Sequence, residues 1–307
     1  MDSLNLDWFL GIFLIVKGFS ALMKNKIILL IGDLLVFLMP KKTREFANKG
    51  MTITNRNDIS LIELFIRKSL LRKVEEKSDY NTLSEFHKAY WKNKGDDFFS
   101  ATDDSFENNF LPECSFIFEL LKDKLSLEHE NFNTVVEIGT GNGKVLNYLN
   151  EQFPQIDRFV GIDLSQKQIS RNKETYQKNT QLEFVAGDAF DWVNTYANKN
   201  MIFVTSRGVL EYFTESRLQD FLQQINRLGN TIFIAIEPNG VDHDLKVNTS
   251  SEPYGYERSF SHNYEVLFKN AGFSLWHNSK KDSTLDHYFS YMGADNYSKK
   301  TVMFAIS

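Results

Sequence analysis

The chain has 307 residues, of which 42% are hydrophobic and 24% are charged, as in ordinary globular proteins. Its formal net charge of −5 argues against a general nucleic-acid-binding protein, which would carry a basic excess, so we expect no nucleic acid among its partners. The single cysteine, Cys114, cannot form an internal disulfide, and no Cys/His cluster has zinc-ligand spacing, so we expect no bound metal. These features favour a cytoplasmic location, with Cys114 as a buried apolar residue of a helix.

Two apolar runs, residues 8–16 and 27–39, stand out near the start of the chain. Each is shorter than the roughly 20 residues that cross a bilayer, and acidic residues precede the first run, which disfavours a signal peptide. Residues 1–50 carry seven Lys/Arg against four Asp/Glu, although the whole chain is acidic. Two interpretations remain open. Residues 8–39 lie on the inner face of the membrane as a peripheral helical hairpin, or they pack against the protein while their lysines reach water.

The segment that follows, residues 51–112, is predicted to form a helical cap. An amphipathic helix covers its first part, with Asn57 and Asp58 available as the N-cap. Residues 75–110 are polar and interrupted, but three aromatic residues recur there at helical spacing: Phe86, Tyr90 and Trp91. These aromatic residues either pack the cap onto the rest of the protein or close over a ligand.

Strand-like and helix-like segments alternate from residue 113 onwards. Strands are predicted at 134–138, 159–163, 182–187, 201–205 and 230–236, and helices at 113–127, 143–152, 166–178, 189–197, 214–228 and 261–271. This alternation indicates a parallel sheet with right-handed crossovers, and residues 273–278 and 301–306 are predicted to add an antiparallel pair of strands. Residues 238–262 are predicted to be a long polar loop, and loops of this length often close over a substrate.

A glycine-rich turn links the first predicted strand to the next helix. Gly139, Gly141 and Gly143 alternate with other residues directly after the strand that ends at Glu137 and Ile138. Glycine lets the backbone turn sharply and lets a ligand approach, since a Cβ would obstruct both. The free N–H groups at the start of the helix suit an anionic or strongly polar ligand. An ordinary strand–helix turn can carry the same glycines, so the turn alone does not identify a site.

Polar residues also follow the next three strands. Asp163 ends the second strand, at the place where nucleotide-binding α/β folds put a carboxylate that accepts hydrogen bonds from ribose hydroxyls. Gly187 and Asp188 follow the third strand, and Ser206 and Arg207 follow the fourth. The carboxyl ends of parallel strands meet at one edge of the sheet, where ligands bind. The alternative is that the two aspartates only cap helices.

With these motifs the chain resembles the class I S-adenosylmethionine-dependent methyltransferases. The resemblance rests on residues 137–143, Asp163, 187–189 and 206–212, which occur in the order and at the spacings of that family. It implies an α/β fold with a doubly wound, mostly parallel seven-stranded sheet and an N-terminal helical extension, and it implies S-adenosyl-L-methionine as the cofactor. The predicted division is 1–50 as an apolar helical segment, 51–112 as the cap and 113–307 as the cofactor-binding catalytic domain.

The resemblance also implies roles for the residues at the strand ends. The glycines approach the methionine part and the ribose of the cofactor, Glu137 orients the turn or the amino group, and Asp163 binds the ribose hydroxyls. Asp188 accepts a hydrogen bond from the adenine amino group, and Ala189 leaves room for the ring. The full set of predicted cofactor residues is Glu137, Gly139, Thr140, Gly141, Gly143, Asp163, Leu164, Gly187, Asp188, Ala189, Ser206, Arg207 and, from the cap, Tyr90.

The sequence says less about the methyl acceptor. It lacks the Asn/Asp-Pro-Pro-Tyr/Phe pattern of adenine- and glutamine-methylating enzymes after the fourth strand, and residues 209–213 instead resemble small-molecule methyltransferases. We therefore expect a small-molecule or lipid-like acceptor. Residues that could act as a general base in the transfer are Glu211, Tyr212, Glu237, His243 and His262.

Two other functions remain open at this point. A non-catalytic protein could bind the cofactor and act on a membrane or a partner through its N-terminal helices, because fold and motif do not prove turnover. An NAD(P)-dependent oxidoreductase would need the pattern Gly-x-Gly-x-x-Gly, whereas these glycines follow Gly-x-Gly-x-Gly. It would also leave Gly187 and Asp188 without a role.

Overall fold

The computed structural model of the protein describes residues 21–52, 59–127, 132–282 and 287–295. Four helices come first, namely α1 (Ala21–Leu38), α2 (Pro40–Lys49), α3 (Leu61–Glu76) and α4 (Tyr80–Ala101). A π-helical turn (Phe106–Phe110) leads into α5 (Leu111–Cys114) and α6 (Phe116–Leu127). Strands and helices follow as β1 (Thr134–Ile138), α7 (Lys144–Gln152), β2 (Arg158–Asp163), α8 (Gln166–Thr175), β3 (Leu182–Ala186), α9 (Ala189–Tyr196), β4 (Met201–Ser206), a 3-10 turn (Leu210–Tyr212), α10 (Glu215–Arg227), β5 (Thr231–Gly240), β6 (Glu252–Tyr254), β7 (Ser259–Ser261), α11 (Tyr264–Asn270), β8 (Ser274–Asp282) and β9 (His287–Asp295).

Seven of these strands form one sheet in the order β3-β2-β1-β4-β5-β9-β8. Strands β1 to β5 run parallel, while β9 lies antiparallel to both β5 and β8. The predicted doubly wound, mostly parallel sheet of seven strands with helices before it is therefore confirmed. Ile138 at the end of β1 lies beside Ile162 of β2 and Thr205 of β4. The polar residues that follow these strands consequently meet at one edge of the sheet.

Apolar layers cover both faces of the sheet. Successive strand residues point to opposite faces, so Phe203 and Phe233 join the layer under α9, α10 and α11, while Ile202 and Ile232 join the layer under α6, α7 and α8. Strands that are buried on both sides read as continuous apolar runs, which is why their positions were predictable. Cys114 is fully buried in the second layer, as predicted.

Helix α1 packs along α3 at the N-terminal side of the described chain. Gly32 lies so close to α3 that an added Cβ would stand 2.3 Å from the carbonyl oxygen of Phe65. The Asp33 carboxylate accepts hydrogen bonds from Ser69 at 2.6 Å and from Arg72 at 2.8 Å. One side of the second apolar run thus packs on the protein, while the run at 8–16 lies outside the described residues. Within the described part of the chain, no helix combines the length and the apolar character that crossing a bilayer requires.

The helical cap differs from its prediction in two ways. The side chain of Ser60, not of Asn57 or Asp58, caps α3, because Ser60 and Glu63 each accept a hydrogen bond from the backbone N–H of the other. Asn57 and Asp58 lie outside the described residues. Helix α4 runs without a break through Gly95, in the stretch predicted to be interrupted. A helical glycine costs about 1 kcal/mol relative to alanine, and tertiary contacts made by this part of α4 offset that cost.

The predicted loop at 238–262 was also wrong in part. Strand β5 extends to Gly240, and residues 252–261 contain the antiparallel hairpin of β6 and β7. The side chain of Asn239 donates to the carbonyl oxygen of His262 at 2.7 Å, which fastens the hairpin to the end of β5. The polar side chains that suggested a loop therefore pair with one another inside the protein.

The antiparallel pair at the edge of the sheet consists of β8 and β9. Its second strand in the described residues is His287–Asp295. The strand predicted at 301–306 lies outside the described residues. A glycine inside a strand usually weakens it or marks a place where another group comes close. In the structure an added Cβ at Gly293 would lie 2.4 Å from the ring of Trp276, so glycine is required where β9 passes that ring.

Candidate active site

The glycine turn lies at the sheet edge between β1 and α7, and its three glycines all have positive φ angles. These angles are 70° at Gly139, 52° at Gly141 and 77° at Gly143, a region that other residues avoid. A Cβ at Gly139 would lie 2.5 Å from the side chain of Val209, and one at Gly141 would lie 2.7 Å from the ring of Phe99. The turn is therefore packed closely by the loop after β4 and by α4, and it tolerates no side chains at these positions.

Glu137 is buried beneath the glycine turn. Its carboxylate accepts hydrogen bonds from the hydroxyl of Thr140 at 2.7 Å and from the hydroxyl of Ser206 at 2.6 Å. Burial raises the pKa of Glu137 to about 7, although both hydrogen bonds act in the opposite direction. Glu137 thus ties the turn after β1 to the end of β4, and it does so from below the site.

Asp163 lies at the end of β2 with only 8% of its surface exposed. Its carboxylate accepts hydrogen bonds from the backbone N–H of Gly141 at 3.1 Å and from that of Ser165 at 2.9 Å. Burial raises the pKa of Asp163 to about 6 against the effect of these bonds. The side chain of Asn172 holds the same turn from the other side, because it donates to the carbonyl oxygen of Gly141 at 2.7 Å.

Asp188 follows β3 and does cap a helix, since it accepts a hydrogen bond from the backbone N–H of Phe190 at the start of α9. It also pairs with two cations, Lys88 of α4 and Arg217 of α10, each at 2.7 Å. Burial acts to raise the pKa of Asp188, but the two cations and the capping bond hold it below its ordinary value. The guanidinium of Arg217 lies 4.6 Å from the ring centre of Phe190. Asp188 therefore joins α4, α9 and α10 at this end of the site.

Helix α4 lies across the site and is fastened on both sides. Beyond the pair with Asp188, its residue Asp96 pairs with Lys167 of α8 at 2.6 Å. The ring of Trp91, between these two anchors, packs against the rings of Phe98 and Phe99, which follow the second anchor. The indole Nε1 of Trp91 is buried and has no hydrogen-bond partner among the described residues. The aromatic face of α4 thus covers the glycine turn and leaves one donor unused.

Arg207 follows β4 with a φ angle of 66°, in the left-handed region that non-glycine residues rarely adopt. Its backbone N–H donates to the carbonyl oxygen of Ile236 at 2.9 Å, which fixes this strained turn. The guanidinium pairs with Glu113 at 3.3 Å and lies 4.8 Å from the ring centre of Phe289. The charge of Arg207 is therefore already balanced within the protein.

Two carboxylates and two phenols meet beyond the end of β4. Glu211 accepts a hydrogen bond from the hydroxyl of Tyr254 at 2.8 Å, and the hydroxyl of Tyr212 donates to Glu257 at 3.0 Å. The other oxygen of Glu211 would stand 2.5 Å from a Cβ added at Gly208, so glycine is needed for the carboxylate to approach the strand end. Burial raises the pKa of Glu211 to about 8, and the neighbouring charge of Glu257 adds to that rise.

Glu237, at the end of β5, is fully buried beside this loop. One of its oxygens accepts hydrogen bonds from the backbone N–H groups of Val209 at 2.9 Å and Leu210 at 3.0 Å. Burial raises the pKa of Glu237 to about 7. Glu237 therefore holds the segment that carries Glu211 and does not itself reach the cavity described below.

The two histidines proposed as bases lie behind the hairpin. His262 is buried with its Nδ1 2.6 Å from the hydroxyl of Ser251, and burial lowers its pKa to about 3. His243 has its Nδ1 2.9 Å from the hydroxyl of Ser261 and its Nε2 3.0 Å from the carbonyl oxygen of Asn248. Both side chains hold the segment after β5 in place.

One cavity of about 570 Å³ joins these features. Of the predicted site residues, the cavity is lined by Gly139, Asp163, Leu164, Gly187, Asp188, Ala189, Ser206, Arg207, Glu211 and Tyr212. The predicted residues that are described but do not line it are Tyr90, Glu137, Thr140, Gly141, Gly143, Glu237, His243 and His262. Tyr90 instead packs against Gly50, and its neighbour Trp91 faces the cavity.

Several lining residues did not follow from sequence reasoning, and they come from elements distant in the chain. They are Lys88, Phe98 and Phe99 of α4, Arg217 of α10, and Tyr254, Glu257 and Ser259 of the hairpin region. Trp91 and Phe98 are separated by about two helical turns, so both lie on the same face of α4. This spacing was the one signal in the sequence that could have placed Phe98 and Phe99 beside Trp91.

Comparisons with known proteins agree with this geometry. Residues 135–230 match the family model described as "Methyltransferase domain", and no curated protein matches the chain in sequence. Among solved structures, an S-adenosylmethionine-dependent methyltransferase from Clostridium acetobutylicum is 12% identical at a TM-score of 0.47, over 65% of this chain and 97% of that chain. The magnesium protoporphyrin IX methyltransferase from Synechocystis is 14% identical at a TM-score of 0.41, over 59% of this chain and 76% of that chain. Likeness at this level transfers no substrate from those proteins to this one.

The family match covers the glycine turn, the ends of β2, β3 and β4, and helix α10. These are the elements that form one end of the cavity, and their motifs occur in the order of the family. Residues 135–230 therefore form a methyltransferase domain, as the resemblance to the class I S-adenosylmethionine-dependent methyltransferases predicted, and S-adenosyl-L-methionine is the cofactor that such a domain uses.

Proposed function

We propose that the protein transfers a methyl group from S-adenosyl-L-methionine to a small-molecule or lipid-like acceptor that binds in the same cavity. The observation that carries this proposal is the continuity of the cavity, which runs from Asp163 and Asp188 past Ser206 to Glu211 and Tyr254. Both reactants can therefore lie in one space, which is the main requirement for an in-line transfer.

The residues at the glycine end fit the cofactor. Gly139 lines the cavity with backbone alone, the buried Asp163 carboxylate faces the cavity, and the Trp91 indole offers an unused donor. We assign Asp163 to the ribose hydroxyls and Asp188 to the adenine end, where Lys88 and Arg217 fix the orientation of its carboxylate. The bound cofactor supplies a methyl group that its sulfonium already activates.

We further propose that residues 51–112 act as a cap on the catalytic domain at 113–307, with residues 1–50 as a separate segment. Support comes from α4, which belongs to the cap and covers the glycine turn through Phe99. A cap of this kind excludes water from the transfer. Residues of the segments at 1–50 and 51–112 form one hydrophobic cluster with Phe260, so the segment at 1–50 also stabilises the cap.

A binding experiment tests the cofactor assignment and separates it from the two alternatives. Titration of the purified protein with S-adenosylhomocysteine in a calorimeter should show saturable binding, whereas NADH should show none, because the turn has the wrong glycine spacing for a dinucleotide. Binding of NADH but not of S-adenosylhomocysteine would contradict the proposal. Binding without methyl transfer to any acceptor would favour the non-catalytic function.

A second proposal concerns the outer side of α1, which we propose lies on an anionic lipid surface. Four apolar residues spaced along one helical face are exposed there, to 68% at Leu30, 48% at Leu34, 79% at Phe37 and 56% at Leu38. Exposed basic residues flank this face, namely Lys26, Lys41 and Arg44, although the chain as a whole is acidic. Apolar side chains between basic residues are the pattern of helices that lie in a lipid interface.

Sedimentation with vesicles tests this membrane contact. The full chain should sediment with vesicles of equal parts phosphatidylglycerol and phosphatidylcholine. The double variant Leu34→Asp/Phe37→Asp should bind the vesicles at least about tenfold less, because it loses two apolar side chains that would be buried in the lipid. The control Leu127→Asp changes an apolar residue that is 80% exposed elsewhere and should bind normally. If the wild type remains in the supernatant, another segment of the chain or a protein covers this face.

A further inference from the structure

The far end of the cavity, beyond Gly208, has a distinctive composition. Its wall contains two carboxylates, two phenols and a hydroxyl, which together we call the acidic pocket: Glu211, Tyr212, Tyr254, Glu257 and Ser259. They come from the 3-10 turn after β4 and from the hairpin region that sequence reasoning took for a loop. This pocket lies next to the strand end where Ser206 and Arg207 face the cavity.

The charges of the cavity are unevenly distributed. Its three cations are already paired, since Lys88 and Arg217 bind Asp188 and Arg207 binds Glu113. Glu211 makes no ion pair within the described part of the chain, and its bonded partner is the neutral hydroxyl of Tyr254. Arg67 of α3 donates to the backbone of Tyr256 and Glu257 and so faces the outer side of this region. At Glu211 the surface that faces the cavity therefore presents a carboxyl group with no cation paired to it in the described structure.

We propose that the methyl acceptor is a basic amine, that its ammonium form binds in the acidic pocket, and that the Glu211 carboxylate takes its proton. This proposal rests on the proposed function and names its substrate class. Carboxylates bind an ammonium by charge-assisted hydrogen bonds, and the aromatic faces of Tyr212 and Tyr254 add attraction for a cation. A carboxylate or phosphate acceptor would instead be repelled by the Glu211 carboxylate.

The chemistry of an amine requires a base at this position. An ammonium has no lone pair, so the nitrogen must lose one proton to Glu211 before it can react. The nitrogen lone pair then forms the new N–CH3 bond while the S–CH3 bond of the cofactor breaks and its electron pair stays on sulfur. The products are a methylated ammonium, S-adenosylhomocysteine and protonated Glu211, which returns its proton to water.

The surroundings of Glu211 suit this role. Glu237 fixes the backbone at Val209 and Leu210, which sets the direction of the Glu211 side chain. Burial and the charges of Glu257 and Glu237 raise the pKa of Glu211, against the hydrogen bonds from Ser259 and Tyr254, so its basic form increases as pH rises through about 8. A carboxyl group of ordinary pKa would be a much weaker acceptor for the proton of an amine.

Three probes that share one ring distinguish the acceptor classes: benzylamine, benzoate and benzyl alcohol. Each is titrated in a calorimeter into the full-length protein saturated with S-adenosylhomocysteine. Benzylamine should bind at least about tenfold more tightly than either of the others, because it alone carries the charge that the pocket complements. Equal binding of the three probes, preference for benzoate or benzyl alcohol, or no binding of benzylamine would overturn the proposal.

The variant Glu211→Gln keeps the shape of the side chain and removes its charge. It should lower benzylamine affinity at least about tenfold, keep its affinity for S-adenosylhomocysteine, and remove the rise of kcat/KM with pH in benzylamine methylation. Glu252→Gln is the matched control, because Glu252 lies on β6 outside the cavity and is bonded to Asn248. Unchanged benzylamine binding in Glu211→Gln would overturn the proposal. Failure of the wild type to bind S-adenosylhomocysteine would instead contradict the proposed function.

Discussion

Replacing Asp163 with alanine is expected to weaken the binding of S-adenosylhomocysteine about 100-fold, since two hydrogen bonds to a carboxylate contribute about 3 kcal/mol together. The substitution removes the carboxylate that we assign to the ribose hydroxyls. It also leaves the backbone N–H of Gly141 without its acceptor, which loosens the turn that the cofactor needs. Calorimetric titration of wild type and variant measures the difference directly.

The matched control is Asp157→Ala, an exposed aspartate just before β2 whose loss should leave affinity unchanged. The variant Asp163→Asn keeps the size of the side chain and should lose affinity to an intermediate degree, because an amide accepts weaker hydrogen bonds than a carboxylate. Unchanged affinity in both Asp163 variants would show that another group binds the ribose. The assignment of β2 to the cofactor would then be wrong.

The sequence placed the residues at the strand ends together because the signals for them are local. A glycine turn after an apolar strand and an acid at the end of the next strand are short patterns, and the parallel sheet brings them together without further information. The strand ends at Gly139, Asp163 and Ser206 meet at the cavity as the alternation of elements implied.

The acceptor end was not predictable in the same way, because its contacts join residues that are far apart in the chain. Glu211 meets Tyr254 across 43 positions, and Tyr212 meets Glu257 across 45. Nothing in the local pattern around Tyr254 or Glu257 marks them, since polar residues with a proline and a glycine read as a loop. The hairpin of β6 and β7 had to be placed before its side chains could be assigned to a cavity.

The buried carboxyl group of Glu137 can be tested separately for its effect on stability and for its role in function. Glu137 is fully buried, it is neutral below about pH 7, and it faces two hydroxyls that can either donate or accept. Glutamine has the same shape and can donate to one hydroxyl while accepting from the other. Folding alone therefore does not explain why residue 137 is an acid. A positively charged amino group of the cofactor, bound above the turn, would explain it.

The variant Glu137→Gln is expected to become more stable than the wild type as the pH rises. The folded pKa of Glu137 is about 7 and its ordinary value is 4.5, so the folded state keeps this proton to a higher pH than the unfolded chain does. Its contribution to stability is therefore complete below pH 4.5 and is lost as pH rises to about 7, by about 3 kcal/mol. Glutamine cannot ionise, so the variant avoids this loss.

Urea unfolding of the cofactor-free protein gives the free energy of unfolding of the variant and of the wild type at about pH 5 and about pH 8. The effect is the change with pH in the difference between these two free energies. The difference should be small at the lower pH and should favour the variant by about 3 kcal/mol at the higher one. Glu174→Gln removes an exposed acid from α8 and should stay within about 0.5 kcal/mol at both. If the difference in free energy of unfolding between Glu137→Gln and the wild type does not change with pH, Glu137 ionises in the folded protein at no cost. The acid beneath the turn would then need no functional reason to be kept.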